Sequence, residues 1–343
     1  MNFATTALAI TLSGLAWSAQ AQQITGAGAT FPAPVYAKWG EAAKAATGLE
    51  LNYQAIGSGG GQTQIVNRTV DFGASDAPMA ADRMEKANLH QFPSVMGAVV
   101  VIVNIPGVET NQLKLDGTMV ADIYHGKITK WNDPRIQEMN KGITLPNRAI
   151  APVYRADGSG TTYVFASYLS AVDPTWKAKV GAATSVKWPT GQGARGNDGV
   201  AATVQNTPGG FGYVEFAYAK QNKLATAAIR NKAGSFVIPS METFTAAASN
   251  ADWASAKHFA VDLIDQPGEK SWPIVSATFI LLPKDPKDPA RSANVMKFID
   301  WAYNSGDALA TGLDYVPLPA AVKAAVRGSW TAEIKGADGK PIR

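Results

Sequence analysis

In several parts of the chain, apolar residues recur every three or four positions, a spacing that places them on one face of a helix. Gly48, Pro174 and Gly306 come shortly after three of these stretches and are typical of the residues that end helices. The pattern predicts helices at positions 35–46, 59–68, 164–172, 200–205 and 295–302.

Runs of apolar, often β-branched residues lie between these stretches. Two of them, 95–105 and 274–282, are nearly continuous, as expected for strands that are buried on both faces. Shorter runs at 49–56 and 70–74 also predict strands. The alternation of strands with helices indicates an α/β fold. If both long strands cross between two lobes, the outer segments form one lobe, the middle forms the other, and the crossings make a hinge.

The composition narrows the possible classes of protein. The chain has 343 residues, of which 46% are apolar, so a disordered chain is excluded. A net charge of +4 without a cluster of Lys or Arg argues against nucleic-acid binding. The absence of Cys excludes disulfides and thiolate metal sites, and three scattered His leave little for a metal site built on imidazoles.

The amino terminus has the pattern of a signal peptide. Residues 1–21 carry no charged side chain, and the Ala-Gln-Ala at 19–21 matches the small-x-small cleavage pattern. The apolar stretch is too short to span a membrane. We therefore expect the mature chain to begin at Gln22 and to be soluble in the periplasm. Because it has no Cys, we expect no lipid anchor attached through that residue. A buried N-terminal helix is the alternative.

Three loops share one design, in which Ser or Thr stands among glycines where a predicted helix starts. They lie at 26–32, 57–61 and 157–162. The first turn of a helix offers unpaired N–H groups and the positive end of the helix dipole, and glycine lets a ligand approach the backbone. Each loop is thus a candidate anion site. The alternative is that Ser and Thr only cap the helices.

Arg155 lies just before the third loop, two residues ahead of Asp157. A guanidinium matches an oxyanion with two parallel donors, and a nearby carboxylate can hold it in place. The alternative is a surface ion pair of little energetic value.

Asp76 follows the strand predicted at 70–74 and can be a helix cap before Pro78. A functional interpretation requires an anion that carries a proton. Hydrogen phosphate does so and sulfate at neutral pH does not, so a carboxylate that accepts this proton would favour phosphate over sulfate.

One glycine pattern points to a different class of ligand. Residues 191–196 match G-x-G-x-x-G, and Glu215 follows at a suitable distance for dinucleotide binding. However, the run 185–188 before it is short and ends at Pro189, and the helix predicted after it is brief. We therefore interpret 191–196 as a structural loop.

Several segments together resemble the phosphate-binding proteins of phosphate-specific ABC transporters, in the type II periplasmic-binding-protein family. The resemblance spans the chain after position 21. Its segments are ITGAGATFPAPVYAKW (24–39), YQAIGSGGGQTQIV (53–66), VDFGASDAPM (70–79), RADGSGTTYVF (155–165), GNDGVAATVQ (196–205), GYVEFAYAKQN (212–222) and FIDWAY (298–303).

The resemblance implies a two-lobe α/β fold that closes on one phosphate ion, with two crossover strands as its hinge. Lobe one would comprise 22–96 and 275–343, and lobe two 97–274. Asp157 would orient Arg155, which would supply positive charge, and Asp76 would accept the proton of phosphate. The phosphate ligands implied are Thr30, Phe31, Ser58, Asp76, Arg155, Ser159, Gly160 and Thr161.

The implied function is high-affinity binding of inorganic phosphate in the periplasm and its delivery to the permease subunits of an ABC transporter at the inner membrane. The protein would act as a monomer, without catalysis, cofactor, metal or nucleic acid. Two alternatives stay open. One is a receptor for another tetrahedral oxyanion, such as sulfate or molybdate, and the other is a secreted phosphatase, which would need a metal cluster or an activated nucleophile.

Overall fold

The computed structural model describes residues 22–342, and the predicted signal peptide lies outside them. The strands are β1 (Gln22–Gly28), β2 (Leu49–Ala55), β3 (Phe72–Ser75), β4 (Leu89–Val103), β5 (Lys114–Leu115), β6 (Ala151–Arg155), β7 (Gln192–Ala194), β8 (Gly210–Glu215), β9 (Ala225–Thr226), β10 (Ala228–Arg230), β11 (Phe236–Val237) and β12 (Val275–Pro283).

The helices are α1 (Ala33–Thr47), α2 (Ser58–Val66), α3 (Ala81–Lys86), α4 (Gly117–Tyr124), α5 (Pro134–Met139), α6 (Gly160–Val172), α7 (Pro174–Lys179), α8 (Gly196–Asn206), α9 (Phe216–Gln221), α10 (Met241–Ala248), α11 (Pro289–Ser305), α12 (Asp307–Thr311) and α13 (Ala320–Glu333), with a short 3-10 turn at Lys257–Phe259. Of these described helices, none combines the length and the apolar character needed to cross a bilayer.

The strands of the large sheet follow the order β2-β1-β3-β12-β4-β8-β6-β7, and β9 pairs with β4. A small sheet has the order β11-β10-β5. Strands alternate with helices along most of the chain, and the predicted α/β class is confirmed.

The long strand β4 belongs to both halves of the large sheet. Its residues 89–98 pair antiparallel with β12, whereas residues 99–103 pair antiparallel with β8. At this change of partner, Val99 N donates to Ile274 O (2.9 Å), and Trp272 Nε1 donates to Val99 O (2.9 Å). Strand β4 therefore runs through both halves of the sheet, whereas β12 pairs with β3 and with the first part of β4 only. Ile274, the residue before β12, bonds to β4 where β4 changes partner.

Strand β4 begins at Leu89, six residues before the predicted start. The additional segment contains polar residues and Pro93, which lacks the N–H that a strand interior needs. The register with β12 shifts between Thr278 and Phe279, and Phe279 is the partner of Pro93. The irregular pairing accommodates the proline, which explains why the pattern alone placed the strand too late.

Most predicted helices are confirmed, with differences at their ends. α1 ends at Thr47 and is capped by Gly48, whose φ is +73°. α2 begins one residue earlier than predicted, and α8 begins at Gly196 instead of near 200, because its first turn is made of Gly, Asn and Asp rather than apolar residues. α6 begins at Gly160, four residues before the predicted start, because its first residues are Gly, Thr and Thr. Pro174 does end α6 but also begins α7, with Asp173 capping the second helix.

The parallel strands place their carboxyl ends at common edges. β1 pairs parallel with β2 and β3, and β6 pairs parallel with β7 and β8. Helices α1 and α2 begin just beyond the first group, and α6 and α8 begin just beyond the second. Ligands of open α/β sheets bind outside such strand ends.

We expect Ile102→Ala to lower the free energy of unfolding by about 2–5 kcal/mol, because Ile102 is fully buried in β4 and its truncation leaves a cavity. Ile238, which is 47% exposed, offers the matched control, and Ile238→Ala should change stability by no more than about 0.5 kcal/mol. Urea unfolding of the two variants measures both values. Equal losses would show that β4 is not the core of the fold.

Candidate functional site

The eight residues predicted as phosphate ligands lie in one buried cluster between the two groups of strand ends. Ser58 Oγ accepts from Gly160 N (3.0 Å) and from Asp76 N (3.2 Å). Arg155 Nη1 donates to Thr161 Oγ1 (3.3 Å). The cluster therefore joins residues that are far apart in the sequence.

Four helices of at least nine residues begin at this cluster: α1, α2, α6 and α8. Each brings the positive end of its dipole to the cluster. Some of their first N–H groups already donate within it, as those of Gly160 and Gly196 do to Ser58 Oγ and Asp157 Oδ1. Ser159 caps α6 by accepting from Thr162 N (3.0 Å), and its own N–H donates to Thr184 O (2.7 Å). Ser159 can thus offer its hydroxyl to a ligand, while its N–H is already paired.

Asp76 is the carboxyl group of the cluster and is 1% exposed. Thr278 Oγ1 donates to its Oδ1 (2.8 Å), and Ser58 Oγ lies 3.5 Å from its Oδ2. Burial raises the pKa of Asp76 from 3.8 to about 7, although the hydrogen bonds from Thr278 and Ser58 and the charge of Arg155 lower it. Asp76 therefore exchanges a proton near neutral pH.

Arg155 is the cation of the cluster and is held by Asp157. Its Nε and Nη2 donate to the two carboxylate oxygens at 2.7 Å and 2.5 Å, and Gly196 N donates to Asp157 Oδ1 (3.1 Å). Burial alone would raise the pKa of Asp157, but the hydrogen bonds and charge of Arg155 leave it below its ordinary value. This ion pair fixes the guanidinium with Nη1 turned toward Thr161.

Asn197 is a residue of the cluster that the sequence interpretation missed. It is fully buried, and its Nδ2 donates to Thr30 Oγ1 (2.9 Å) and to Thr161 Oγ1 (3.3 Å). The signal was present, since Gly196 and Asn197 open a helix after a strand as the other three loops do. Thr278 was missed as well, because it lies within a strand that reads only as core.

The glycine pattern at 191–196 is divided between two structural elements. Residues 192–194 form β7, and Gly196 begins α8 and donates to Asp157. Glu215, which a dinucleotide site would use for ribose, is fully buried. Its carboxylate accepts from Ala217 N (2.9 Å), and its Oε2 lies 2.8 Å from Tyr315 Oη. Glu215 is therefore not available to bind a ribose.

The two sides of the cluster meet through glycines. Gly59 N donates to Gly158 O (2.8 Å). A Cβ on Gly160 would lie 2.5 Å from both Asp76 Oδ2 and Ser58 Oγ, so glycine is required for this approach. On the Ser58 side of this contact, Gly57 has a φ of +90°, a backbone conformation that favours glycine.

The cluster can bind a small anion that carries a proton. It combines hydroxyl and N–H donors, one fixed guanidinium and one carboxyl with a pKa of about 7. Within residues 22–342, no group of three or more His, Asp or Glu side chains is arranged to hold a metal ion.

The chain is similar to one protein-family model and to curated phosphate-binding proteins. A model of a PBP superfamily domain matches residues 14–305. The phosphate-binding protein PstS of Pasteurella multocida is 52% identical over 335 residues, which cover 98% of this chain and 97% of that protein. PstS of Haemophilus influenzae is 51% identical over 317 residues, covering 92% and 95%.

Solved structures share the fold. A phosphate-binding protein from Stenotrophomonas maltophilia has a TM-score of 0.68 at 21% identity and covers 90% of this chain and 93% of that one. A high-affinity periplasmic phosphate-binding protein bound with phosphate, PfluDING, has a TM-score of 0.70 at 22% identity, with coverage of 90% and 94%. The predicted type II periplasmic-binding-protein fold is confirmed.

Asp76→Asn should change how stability depends on pH. Between pH 3.8 and about 7 the folded wild type holds a proton on Asp76 that the unfolded chain has released. The wild type should therefore lose stability relative to the variant as the pH rises through this window, by at most about 1.4 kcal/mol per pH unit.

Urea unfolding of extensively dialysed protein at several pH values measures this difference. Burial also raises the pKa of Glu215, and the charge of Asp76 raises it further. Because burial is the largest cause and is the same in both proteins, most of the contribution of Glu215 is common to them. A difference that stays constant from about pH 4 to pH 7 would contradict the assignment.

Proposed function

The chain belongs to the PBP superfamily and, within it, to the PstS phosphate-binding proteins, and from this premise we propose that it binds inorganic phosphate for import by an ABC transporter. The observation that carries the proposal is the carboxyl group of Asp76, which is 1% exposed and lies in the same buried cluster as the fixed guanidinium of Arg155. The protein performs no chemistry on the ion. It replaces the water around the ion by donors that are already in place.

We propose that the eight predicted residues are the phosphate ligands. Thr30 and Phe31 contribute main-chain N–H groups, and the hydroxyl of Thr30 assists. Ser58 contributes its hydroxyl and N–H, and Arg155 contributes charge. Ser159 donates through its hydroxyl, and Thr161 donates through its N–H at the start of α6. Gly160 would share with the ion the N–H that donates to Ser58 Oγ in this structure (3.0 Å). Fixed donors bind tightly because little ordering remains to be done when the ion enters.

Asp76 selects the ion by its protonation state. Hydrogen phosphate can donate its proton to the carboxylate and turn its remaining oxygens toward the donors. Sulfate has no proton to donate at neutral pH, so it would face a negative charge without compensation. A buried polar group left unpaired discriminates strongly against an analogue.

The proposed lobes are 22–96 with 275–343, and 97–274. The proposed boundary in β4 lies two residues before β4 exchanges β12 for β8, and the boundary after Ile274 lies beside the bond from Val99 to Ile274, which supports the division. Two crossing segments side by side can bend together, so rotation about this place would open and close the cluster. Thr30, Ser58 and Asp76 would lie on one lobe, and Arg155 and the start of α6 on the other.

We place the protein in the periplasm as a monomer that docks on permease subunits at the inner membrane. The signal-type sequence at 1–21 supports export, and the solved relative PfluDING is described as periplasmic. Release to the permease requires the lobes to separate, because the ligands come from both.

The first test is a calorimetric titration of protein freed of phosphate, comparing wild type with Asp76→Asn. The wild type should bind one phosphate per chain and should not respond to sulfate at neutral pH. Asp76→Asn should bind phosphate more weakly and gain a response to sulfate, because the amide can donate where the carboxylate cannot.

Asp82→Asn is the matched control, since that carboxylate is 74% exposed on α3, and it should behave as wild type. A variant at position 76 that still rejects sulfate would sink the proposed basis of selectivity. A wild type that binds neither ion while folded would sink the function.

Arg155→Lys should weaken phosphate binding by roughly 10- to 100-fold, the equivalent of about 1.5–3 kcal/mol for a hydrogen bond to a charged group. A lysine keeps the charge but cannot engage Asp157 and the ion with separate edges of a planar fork. The same titration measures this loss. Arg135→Lys, at an arginine whose side chain is 47% exposed, should leave affinity unchanged, and equal affinities in both variants would exclude Arg155 as a ligand.

A further inference from the structure

Three tyrosine hydroxyls converge on three consecutive carbonyl groups of the first loop. Tyr53 Oη donates to Ala29 O (2.7 Å). Tyr218 Oη donates to Thr30 O (2.7 Å), and Tyr315 Oη donates to Phe31 O (2.6 Å). The tyrosines come from β2, from α9 and from the segment after α12, so no single element explains their convergence.

A hydrogen bond to a carbonyl also fixes the N–H of the same peptide unit. The unit is planar and trans, so its C=O and N–H point in opposite directions. The carbonyl of Ala29 shares its unit with the N–H of Thr30, and the carbonyl of Thr30 shares its unit with the N–H of Phe31. The carbonyl of Phe31 shares its unit with Pro32, which has no N–H.

The N–H groups of Thr30 and Phe31 are the two that these bonds orient. Within residues 22–342 neither group donates a hydrogen bond, although Thr30 and Phe31 are buried. Buried N–H groups are nearly always paired, so a pair aimed in a fixed direction without acceptors is suited to a ligand. The side chain of Thr30 already points into the cluster, where Asn197 binds its hydroxyl.

We propose that Tyr53 and Tyr218 are positioning residues, which aim the N–H groups of Thr30 and Phe31 at the bound anion without touching it. This inference rests on the proposed phosphate function. Each hydroxyl holds a carbonyl on the side of the peptide that faces away from the site. Without the hydroxyl of Tyr53, the carbonyl of Ala29 loses this hydrogen bond, and without that of Tyr218 the carbonyl of Thr30 keeps the longer bond from Ala33 N (3.2 Å). In both cases the direction of the donor is held less firmly. Tyr315 holds the same loop but orients no donor.

The test measures phosphate affinity by calorimetry for Tyr53→Phe, Tyr218→Phe and Tyr315→Phe, each of which removes one oxygen atom. Tyr303→Phe is the control outside the loop, because that buried hydroxyl donates to the carbonyl of Pro93. Tyr53→Phe and Tyr218→Phe should weaken binding by roughly fivefold or more, the equivalent of one hydrogen bond. The phosphate affinities of Tyr315→Phe and Tyr303→Phe should stay within about twofold of the wild-type affinity.

A second readout follows the amide protons by NMR with inorganic phosphate as the probe. Donation to phosphate should shift the Thr30 and Phe31 amide protons downfield in the wild type. Tyr53→Phe should reduce this shift at Thr30, and Tyr218→Phe should reduce it at Phe31. A general loss of structure would instead reduce the shifts of both amide protons in each variant.

The outcomes distinguish a failure of the proposed phosphate function from a failure of the positioning role. A wild type that does not bind phosphate overturns the proposed function, and the positioning role with it. A wild type that binds, together with Tyr53→Phe and Tyr218→Phe that bind equally well, overturns the positioning role alone. Equal losses in all four variants overturn it as well, because they would reflect general destabilisation.

Discussion

The backbone hydrogen bonds that pair β4 with two different strands are the constraint on which the rest of the structure depends. One strand pairs with β12 along its first part and with β8 along its second, and this sharing aligns two sets of parallel strands around a common middle. Because each set ends in loops that begin helices, four helix starts are brought to one place. All fifteen residues of β4 are buried, although its first part contains polar residues and Pro93 and only the part from Val95 onward is continuously apolar or glycine.

The charges at this place are few and each has a partner. Asp157 fixes the direction of the Arg155 guanidinium, and burying such a pair gives little stability by itself. Asp76 is the group whose charge can change near neutral pH. An entering anion therefore meets the Arg155 guanidinium together with backbone and hydroxyl dipoles. Peptide dipoles need not reorient when the anion enters if hydrogen bonds already hold the carbonyl groups of the same peptide units.

The sequence was informative where chemistry or periodicity is local. The helix at 35–46 and its end at Gly48 could be predicted because apolar spacing and a left-handed glycine act within a few residues. The loops around Ser58 and Ser159 could be located by their glycines, although their convergence rested on the family resemblance. The role of Thr278 could not be predicted, because a threonine inside an apolar strand gives no sign of which side chain it meets. The early start of β4 was hidden by Pro93, whose accommodation depends on a register shift in another strand.

The contact between Gly59 and Gly158 has a consequence for how the two loops can vary. A methyl group on either residue would lie 3.1 Å from the α-carbon of the other, so the seam between the two loops is a main-chain contact with no side chain that could rotate aside. A side chain at position 59 or 158 would therefore move the loops that carry Ser58 and Ser159 apart. The two loops keep their present spacing only while both positions are glycine.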